Sequence, residues 1–357
     1  MRLLALGYGV VFAFSWGTVA SGAQPAQREA AREETVRGAV DAAAADFIKN
    51  PAEVALSVGI IDRGQEYRFN FGETAPGSAT LPTSQTLYEI GSITKTFTSL
   101  IVAHAVAEKK MNLNDDIRLY LKGDYPNLQY PDGRPVKVVY LVAHISQFPR
   151  ATTKPFDANF TEKDFADELR AVKLGNLEPY HYSYSNFGYQ VLGVMLENVY
   201  GVSYNDLVKR FITGPWYMPS TQVYAQTNGM IAGYDPGHQP MPSQLPIFPG
   251  AGGLRSNIDD MLKYASHQLS EDDPIVRSTH RVLNAWTEEV DGFSWALGRT
   301  RDWTYYLRED GGTKGFRTFI ALFPDQQIAI ILLSNETDDQ AGRRLYDMLN
   351  AILKGLQ

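Results

Sequence analysis

The sequence predicts an α+β fold: an antiparallel β-sheet flanked by the N- and C-terminal helices, with an inserted all-helical lobe. Three observations lead there. Short β-branched or aromatic runs occur at residues 54–71 and again beyond 293, each set split by turn residues. Between them, from Ser92 to Leu269, apolar residues recur mostly at helical spacing. The two ends of the chain flank these strands with helical patterns of their own. Strands joined by tight turns pair antiparallel, so both terminal sets build one sheet that the terminal helices cover. The seam between sheet and helical lobe is where a pocket is expected.

Taken in order, residues 1–23 read as a secretory signal peptide. Arg2 is the only charge, an apolar run extends from Leu3 to Phe14, and Ser21-Gly22-Ala23 offers small residues for cleavage. Export to a periplasm or cell exterior follows; contact with a membrane follows only if the segment is retained, since ~20 apolar residues can span a bilayer. The sheet lobe is assigned to residues 24–91 plus 290–357 and the helical lobe to 92–289. In the first, Arg28–Lys49 places Val36, Val40, Ala43 and Phe47 on one helical stripe, closed by Pro51. Val54–Ile61 and Tyr67–Phe71 flank Asp62-Arg63-Gly64, a hairpin signature. Helical spacing then covers Ser92–Lys109, Val136–Ile145, Thr161–Val172, Asn186–Tyr200, Tyr204–Ile212 and Asp259–Leu269. Strands are expected at Phe293–Leu297, Trp303–Leu307, Arg317–Phe323 and Ile328–Leu333, and a closing helix at Glu336–Leu356.

Composition removes several classes of function. Hydrophobic residues make up 44% of the 357 positions and charged residues 20%, ordinary for a folded domain with a large core. The net charge is −7 with no run of five like charges, which argues against a nucleic-acid partner. There is no cysteine, so disulfides, thiolate catalysis, Cys-ligated zinc and iron–sulfur clusters are excluded. The six histidines form no H-x-x-x-H pair, so neither metal nor cofactor is called for. A G-x-S-x-G elbow is missing, and "GSITKT" lacks the register of a phosphate loop. The expected partner is a small-molecule or peptide substrate.

Three segments carry chemistry. In Ser92-Ile-Thr-Lys95, positions i and i+3 of a helix share a face, so Lys95 can reach the Ser92 hydroxyl. An amine able to shed its proton activates a serine, and unpaired N–H groups at a helix start favour a developing oxyanion. The same residues also suit an N-cap and a solvated first turn. Tyr184-Ser-Asn186 precedes an apolar helix; the phenol can relay a proton and the carboxamide can hold an amide substrate. Asn186 alternatively caps that helix. Gly311-Gly312-Thr313-Lys-Gly-Phe316 opens the strand from Arg317, and glycines there let a ligand lie against backbone N–H groups, or else form a hairpin turn.

Together these segments resemble the serine β-lactamase and penicillin-binding-protein superfamily, specifically the class C β-lactamase and low-molecular-mass DD-peptidase branch, with its S-x-x-K, Y-x-N and Lys-Thr-Gly or His-x-Gly motifs. "YEIGSITKTFTSLIVA" from Tyr88, "LVAHISQFP" from Leu141, "GAGGLRSNIDDMLKY" from Gly250 and "GGTKGFRTFIALFP" from Gly311 extend the similarity over nearly all of residues 24–357. The resemblance implies Ser92 as acylated nucleophile and Lys95 and Tyr184 as the proton-transfer pair, either of which could be the base. It implies Asn186, Gly311, Gly312 and Thr313 as substrate-binding, and the N–H groups of Ser92 and Gly312 as the oxyanion hole.

Two departures stand out. Glu309 occupies the place of the usual Lys or His; like charges ~4 Å apart at an effective dielectric of ~20 repel by about 4 kcal/mol, enough to turn away a substrate carboxylate unless Arg308, Lys314 or Arg317 compensates. Gln147 stands where the branch usually has glycine, beside His144 and Pro149. The expected function is therefore an exported serine hydrolase acting through an acyl-enzyme on amide, lactam or ester carbonyls. A β-lactamase or DD-peptidase leads; a carboxylesterase of the same fold and a catalytically silent binder of cell-wall fragments are the alternatives.

Overall fold

The computed structural model describes residues 25–49, 54–154, 159–178, 180–223, 230–243, 248–283, 290–300, 303–336, 338 and 340–357. The expected signal segment 1–23 lies outside the described residues. Helix α1 (Pro25–Ile48) leads into strands β1 (Ala55–Asp62) and β2 (Gln65–Gly72). Their two-residue turn, Arg63-Gly64, holds both residues at positive φ (51° and 86°), the mirror-image turn whose twist matches a hairpin. Helix α2 (Thr94–Ala107) begins the helical region, which includes α3 (Asn186–Tyr200) and α4 (Ile258–Ser270) among shorter helices and small two- and three-stranded sheets. The chain returns through β3 (Val290–Asp291), β4 (Ala296–Arg299), β5 (Tyr305–Thr313), β6 (Phe316–Phe323) and β7 (Ile328–Ser334), then closes in α5 (Ala341–Leu356).

These strands form one seven-stranded antiparallel sheet in the order β2-β1-β7-β6-β5-β4-β3, so the N-terminal hairpin joins the C-terminal strands along β1 and β7. The sheet is buried on both faces, which explains why β1 and β7 read as continuous apolar runs rather than alternating ones. One face (Leu56, Val58, Ile60, Ile330, Leu332) packs on Val36 and Val40 of α1 and Leu345, Leu349 and Ile352 of α5. The other (Ile61, Ile320, Leu322, Ile331, Leu333) joins the core of the helical region. Helix α4 lies close against β1 because Gly59 has no side chain; a Cβ there would stand 3.1 Å from Ile258.

Helix α2 runs through the middle of that second core, buried on nearly every side. Its hydroxyls are accommodated by tyrosines: Tyr264 donates to Thr96 (2.7 Å), while Thr98 bonds Tyr204 (2.6 Å) and Ser99 bonds Tyr189 (2.9 Å). Satisfied buried hydroxyls of this kind fix the helix in one rotation about its axis, and so fix what its first turn presents.

Three expectations need correction. The strand expected at Phe293–Leu297 is largely a turn in which Trp295 O accepts from Gly292 N (2.9 Å); Phe293 and Trp295 are apolar because they are buried turn residues. The closing helix begins at Ala341 rather than Glu336, whose buried carboxylate accepts from Arg344 (3.2 Å). Gly311, Gly312 and Thr313 end β5 instead of opening the next strand, and the turn to β6 is Lys314-Gly315. No helix among the described residues is long and apolar enough to cross a membrane.

Candidate active site

Ser92 sits in a single 3₁₀ turn, Gly91–Ile93, that feeds directly into α2, so it is neither an N-cap nor a helix-interior residue. That turn is seated on the end of β5. Gly91 has φ 51°, and a Cβ on it would fall 2.5 Å from the Gly312 nitrogen. A Cβ on Gly311 would strike Ile90 O at 2.1 Å, and Thr318 on β6 donates to that same carbonyl (3.0 Å). Glycines at 91 and 311 thus let the Ser92 turn and the β5 backbone touch, which brings the Gly312 N–H beside Ser92. Gly312 lines the cleft; Gly311 is pressed against the turn and Thr313 lies outside the cleft lining.

One helical turn on, Lys95 is 0% exposed and its Nζ donates to three acceptors: Ser92 Oγ (2.9 Å), Asn186 Oδ1 (2.8 Å) and the Ala251 carbonyl (2.7 Å). Burial is the main cause that pulls the Lys95 pKa down to about 7; Glu309 and Asp310 oppose it, and Arg150 adds to it. Tyr184 completes the group by donating its phenol to Ser92 Oγ at 2.6 Å. Its pKa moves the other way, well above the ordinary phenol value, through burial first and the Glu309 carboxylate next.

The loop carrying Tyr184 is templated by residues 144–150. Ser183 N donates to His144 O (2.7 Å), Ser185 N to His144 Nδ1 (3.1 Å), Ser185 Oγ to Pro149 O (2.7 Å) and Asn186 N to Arg150 O (2.9 Å). Ser185, not Asn186, is the N-cap of α3, accepting from Gly188 N (2.8 Å); Asn186 is thereby released to bond Lys95. Burial and the neighbouring Lys95 charge push the His144 pKa far down, so the ring is neutral; it stands 4.5 Å from that of Tyr184. Gln147 occupies a left-handed conformation (φ 63°), which is why glycine suits the position. Its amide offsets that strain by donating to Asn176 O (2.7 Å) and accepting from Gly175 N (2.8 Å).

The cleft above Ser92 has a volume of about 440 Å³ and is bounded by Tyr184 and Asn186 on one side and Glu309 and Gly312 on the other. Lys95 lies beneath it. The structure therefore brings Ser92, Lys95, Tyr184, Asn186, Gly312 and Glu309 together. It adds two groups that the sequence did not single out: the Ala251 carbonyl, and Arg150, whose guanidinium lies 5.3 Å from the Tyr184 ring centre. A signal for the first was present in the glycines around Ala251. Gly250 can approach Gly193 of α3 only without a side chain, since its Cβ would meet Tyr189 O at 2.6 Å. The arrangement is chemically complete for acyl transfer: a hydroxyl with a tunable amine and a phenol on its oxygen, and a backbone N–H at the far wall.

A family model described as Beta-lactamase matches residues 40–353. Among curated proteins, the chain is 24% identical over 348 residues to the D-alanyl-D-alanine-carboxypeptidase/endopeptidase AmpH of Escherichia coli, covering 89% of this chain and 88% of that protein. Among solved structures it resembles a class C beta-lactamase (TM-score 0.79, 19% identity, 90% of this chain and 96% of that one). It also resembles a beta-lactamase/D-alanine carboxypeptidase from Yersinia pestis complexed with citrate (TM-score 0.76, 21% identity, 91% of this chain and 99% of that one).

Proposed function

The chain belongs to the beta-lactamase family, and from that premise we propose that it is an exported serine hydrolase that forms an acyl-enzyme through Ser92. The observation that carries the reading is the meeting of Lys95 Nζ (2.9 Å) and Tyr184 Oη (2.6 Å) on a single oxygen, Ser92 Oγ. Neutral Lys95 keeps two N–H bonds, to Asn186 and Ala251, and turns its lone pair to Ser92, taking the serine proton as Oγ adds to the substrate carbonyl, because an amine held at about 7 is substantially unprotonated at neutral pH. Tyr184, whose phenol stays protonated, gives its proton to the leaving group, and the proton held by the Lys95 ammonium beside it then restores the phenol. The N–H groups of Ser92 and Gly312 hold the oxyanion, and Asn186 receives a substrate amide. Water then cleaves the acyl ester, with the same groups returning the serine proton. Net, one carbonyl–heteroatom bond and one water molecule yield an acid and an amine or alcohol.

Lactam, peptide and ester carbonyls all meet these requirements, and β-lactamase or DD-peptidase chemistry fits the relatives best. The test is mass spectrometry of the intact protein after exposure to a fluorophosphonate, a penicillin and p-nitrophenyl esters. Wild type should carry an adduct on the peptide containing Ser92, and Ser92→Ala should carry none while melting within about 2 °C of wild type. Adducts confined to esters identify a carboxylesterase. No adduct and no turnover in wild type would leave a catalytically silent binding protein.

A further inference from the structure

The two terminal helices are too narrow for the sheet they cover. Seven strands about 4.8 Å apart span roughly 29 Å, whereas two helices about 10 Å in diameter reach across about 20 Å. Helix α5 accordingly packs on β6 and β7, and α1 on β2. Beyond α5 the layer ends, and a groove of about 440 Å³ runs between that helix and β5. Among the residues that line it, only Arg308 also borders the catalytic cleft. Strand register gives the groove its shape. Arg308 stands opposite Ala296 on β4 and Ala321 on β6, and Tyr306 stands opposite Gly298. Opposed residues share a face of the sheet, so these short neighbours leave the two long side chains standing in open space. The Tyr306 ring lies across β4, since a Cβ on Gly298 would meet its hydroxyl at 2.4 Å. Ala321, Phe323 and Leu353 supply an apolar lining, and Tyr306 and Tyr346 add aromatic walls.

One charge in this groove is unspent. The Arg308 guanidinium lies 5.8 Å and 5.2 Å from the ring centres of Tyr306 and Tyr346, and it makes no hydrogen bond or ion pair among the described residues. Aromatic rings steady a guanidinium while leaving its N–H fork available, and that fork matches an anionic head that can accept two parallel bonds. The carboxylate that lines the groove, Asp347, is held by Arg343 Nε through both oxygens (3.0 Å each), so that pair is neutral. Glu309 and Asp310, the carboxylates next along β5, line the catalytic cleft and not the groove. An apolar lining beside a single unpaired cation complements an apolar body that carries a single negative charge.

We propose that the groove between α5 and β5 binds an amphiphilic monoanion, its head paired with Arg308 and its apolar body laid between Tyr306 and Tyr346 against Ala321, Phe323 and Leu353. The site is separate from the Ser92 chemistry and does not depend on an acyl-enzyme. Opposite charges ~6 Å apart at an effective dielectric of ~20 favour an anion over a neutral ligand by roughly 100-fold; solvent at the half-exposed Arg308 reduces this to about tenfold.

Calorimetric titration with three probes that share one alkyl chain tests this: decanoate, decanol and decyltrimethylammonium, each kept below its micelle-forming concentration. Wild type should bind decanoate about tenfold more tightly than decanol, with the cation weakest. Arg308→Gln should bring decanoate to within about twofold of decanol. Because Arg308 also borders the catalytic cleft, a second variant places the binding: Asp347 lines the groove alone, and Asp347→Asn releases the Arg343 guanidinium, which should tighten decanoate about threefold. Both side chains of that pair are exposed, and thermal melting checks that each variant stays folded. Failure of wild type to bind decanoate, or a preference for decanol or the cation, overturns the proposal. So does a decanoate preference that survives Arg308→Gln, or an affinity that Asp347→Asn leaves unchanged, since the anion then sits elsewhere.

Discussion

Replacing Glu309 by glutamine is expected to shift the acid limb of acylation to lower pH. With neutral Lys95 as the proposed base, kcat/KM should fall about tenfold per unit below its pKa, which stands at about 7 in wild type. Glu309 stabilises the ammonium form and therefore raises that pKa against the larger effect of burial. Removing the carboxylate removes that support, and the limb moves acid. Two unit charges ~8 Å apart at an effective dielectric of ~20 interact by about 2 kcal/mol, or roughly 1.5 pKa units, as an upper bound. With Asp310 still present and the cleft open to water, a displacement of about one unit is expected. Arg150 acts with the opposite sign, favouring the neutral amine, so Arg150→Gln should move the limb toward alkaline pH. The assay is kcat/KM for an uncharged p-nitrophenyl ester from pH 5 to 9, which keeps substrate ionisation out of the profile. An alkaline shift in Glu309→Gln, or a wild-type limb near the carboxylate range, would remove Lys95 from the role of base.

Two further substitutions probe how the site is held. Gly91→Ala should lower acylation by more than 100-fold and destabilise the fold by about 1–3 kcal/mol, since it introduces a Cβ at positive φ and 2.5 Å from the Gly312 nitrogen; burst kinetics and thermal melting measure the two effects, and unchanged acylation would show that the Ser92 turn need not touch β5. Ser185→Ala removes the cap of α3 and the bond to Pro149 O, at a cost of about 1 kcal/mol in urea denaturation. Because the same loop carries Tyr184, its kcat should fall more than its KM rises; a change in stability with kcat intact would separate the cap from the catalytic geometry.

The sequence by itself determined the sheet-and-helix order and put forward the residues that the structure brings together around Ser92. Helical and strand periodicities are local, and the i, i+3 spacing of Ser92 and Lys95 is a property of one helical turn that needs no tertiary information. Local signals failed where burial came from elsewhere: Phe293 and Trp295 look like strand residues but are turn residues covered by the rest of the fold. Only the tertiary structure decided that a phenol 92 residues away would reach Ser92 Oγ, and that a carbonyl at Ala251 would hold Lys95. It also set the two proton affinities on which the proposed roles rest. Desolvation lowers the pKa of an amine and raises that of a phenol, so enclosing Lys95 and Tyr184 in the same buried space drives their proton affinities in opposite directions. Burial depends on how the whole chain packs, and a motif of three letters carries no record of it.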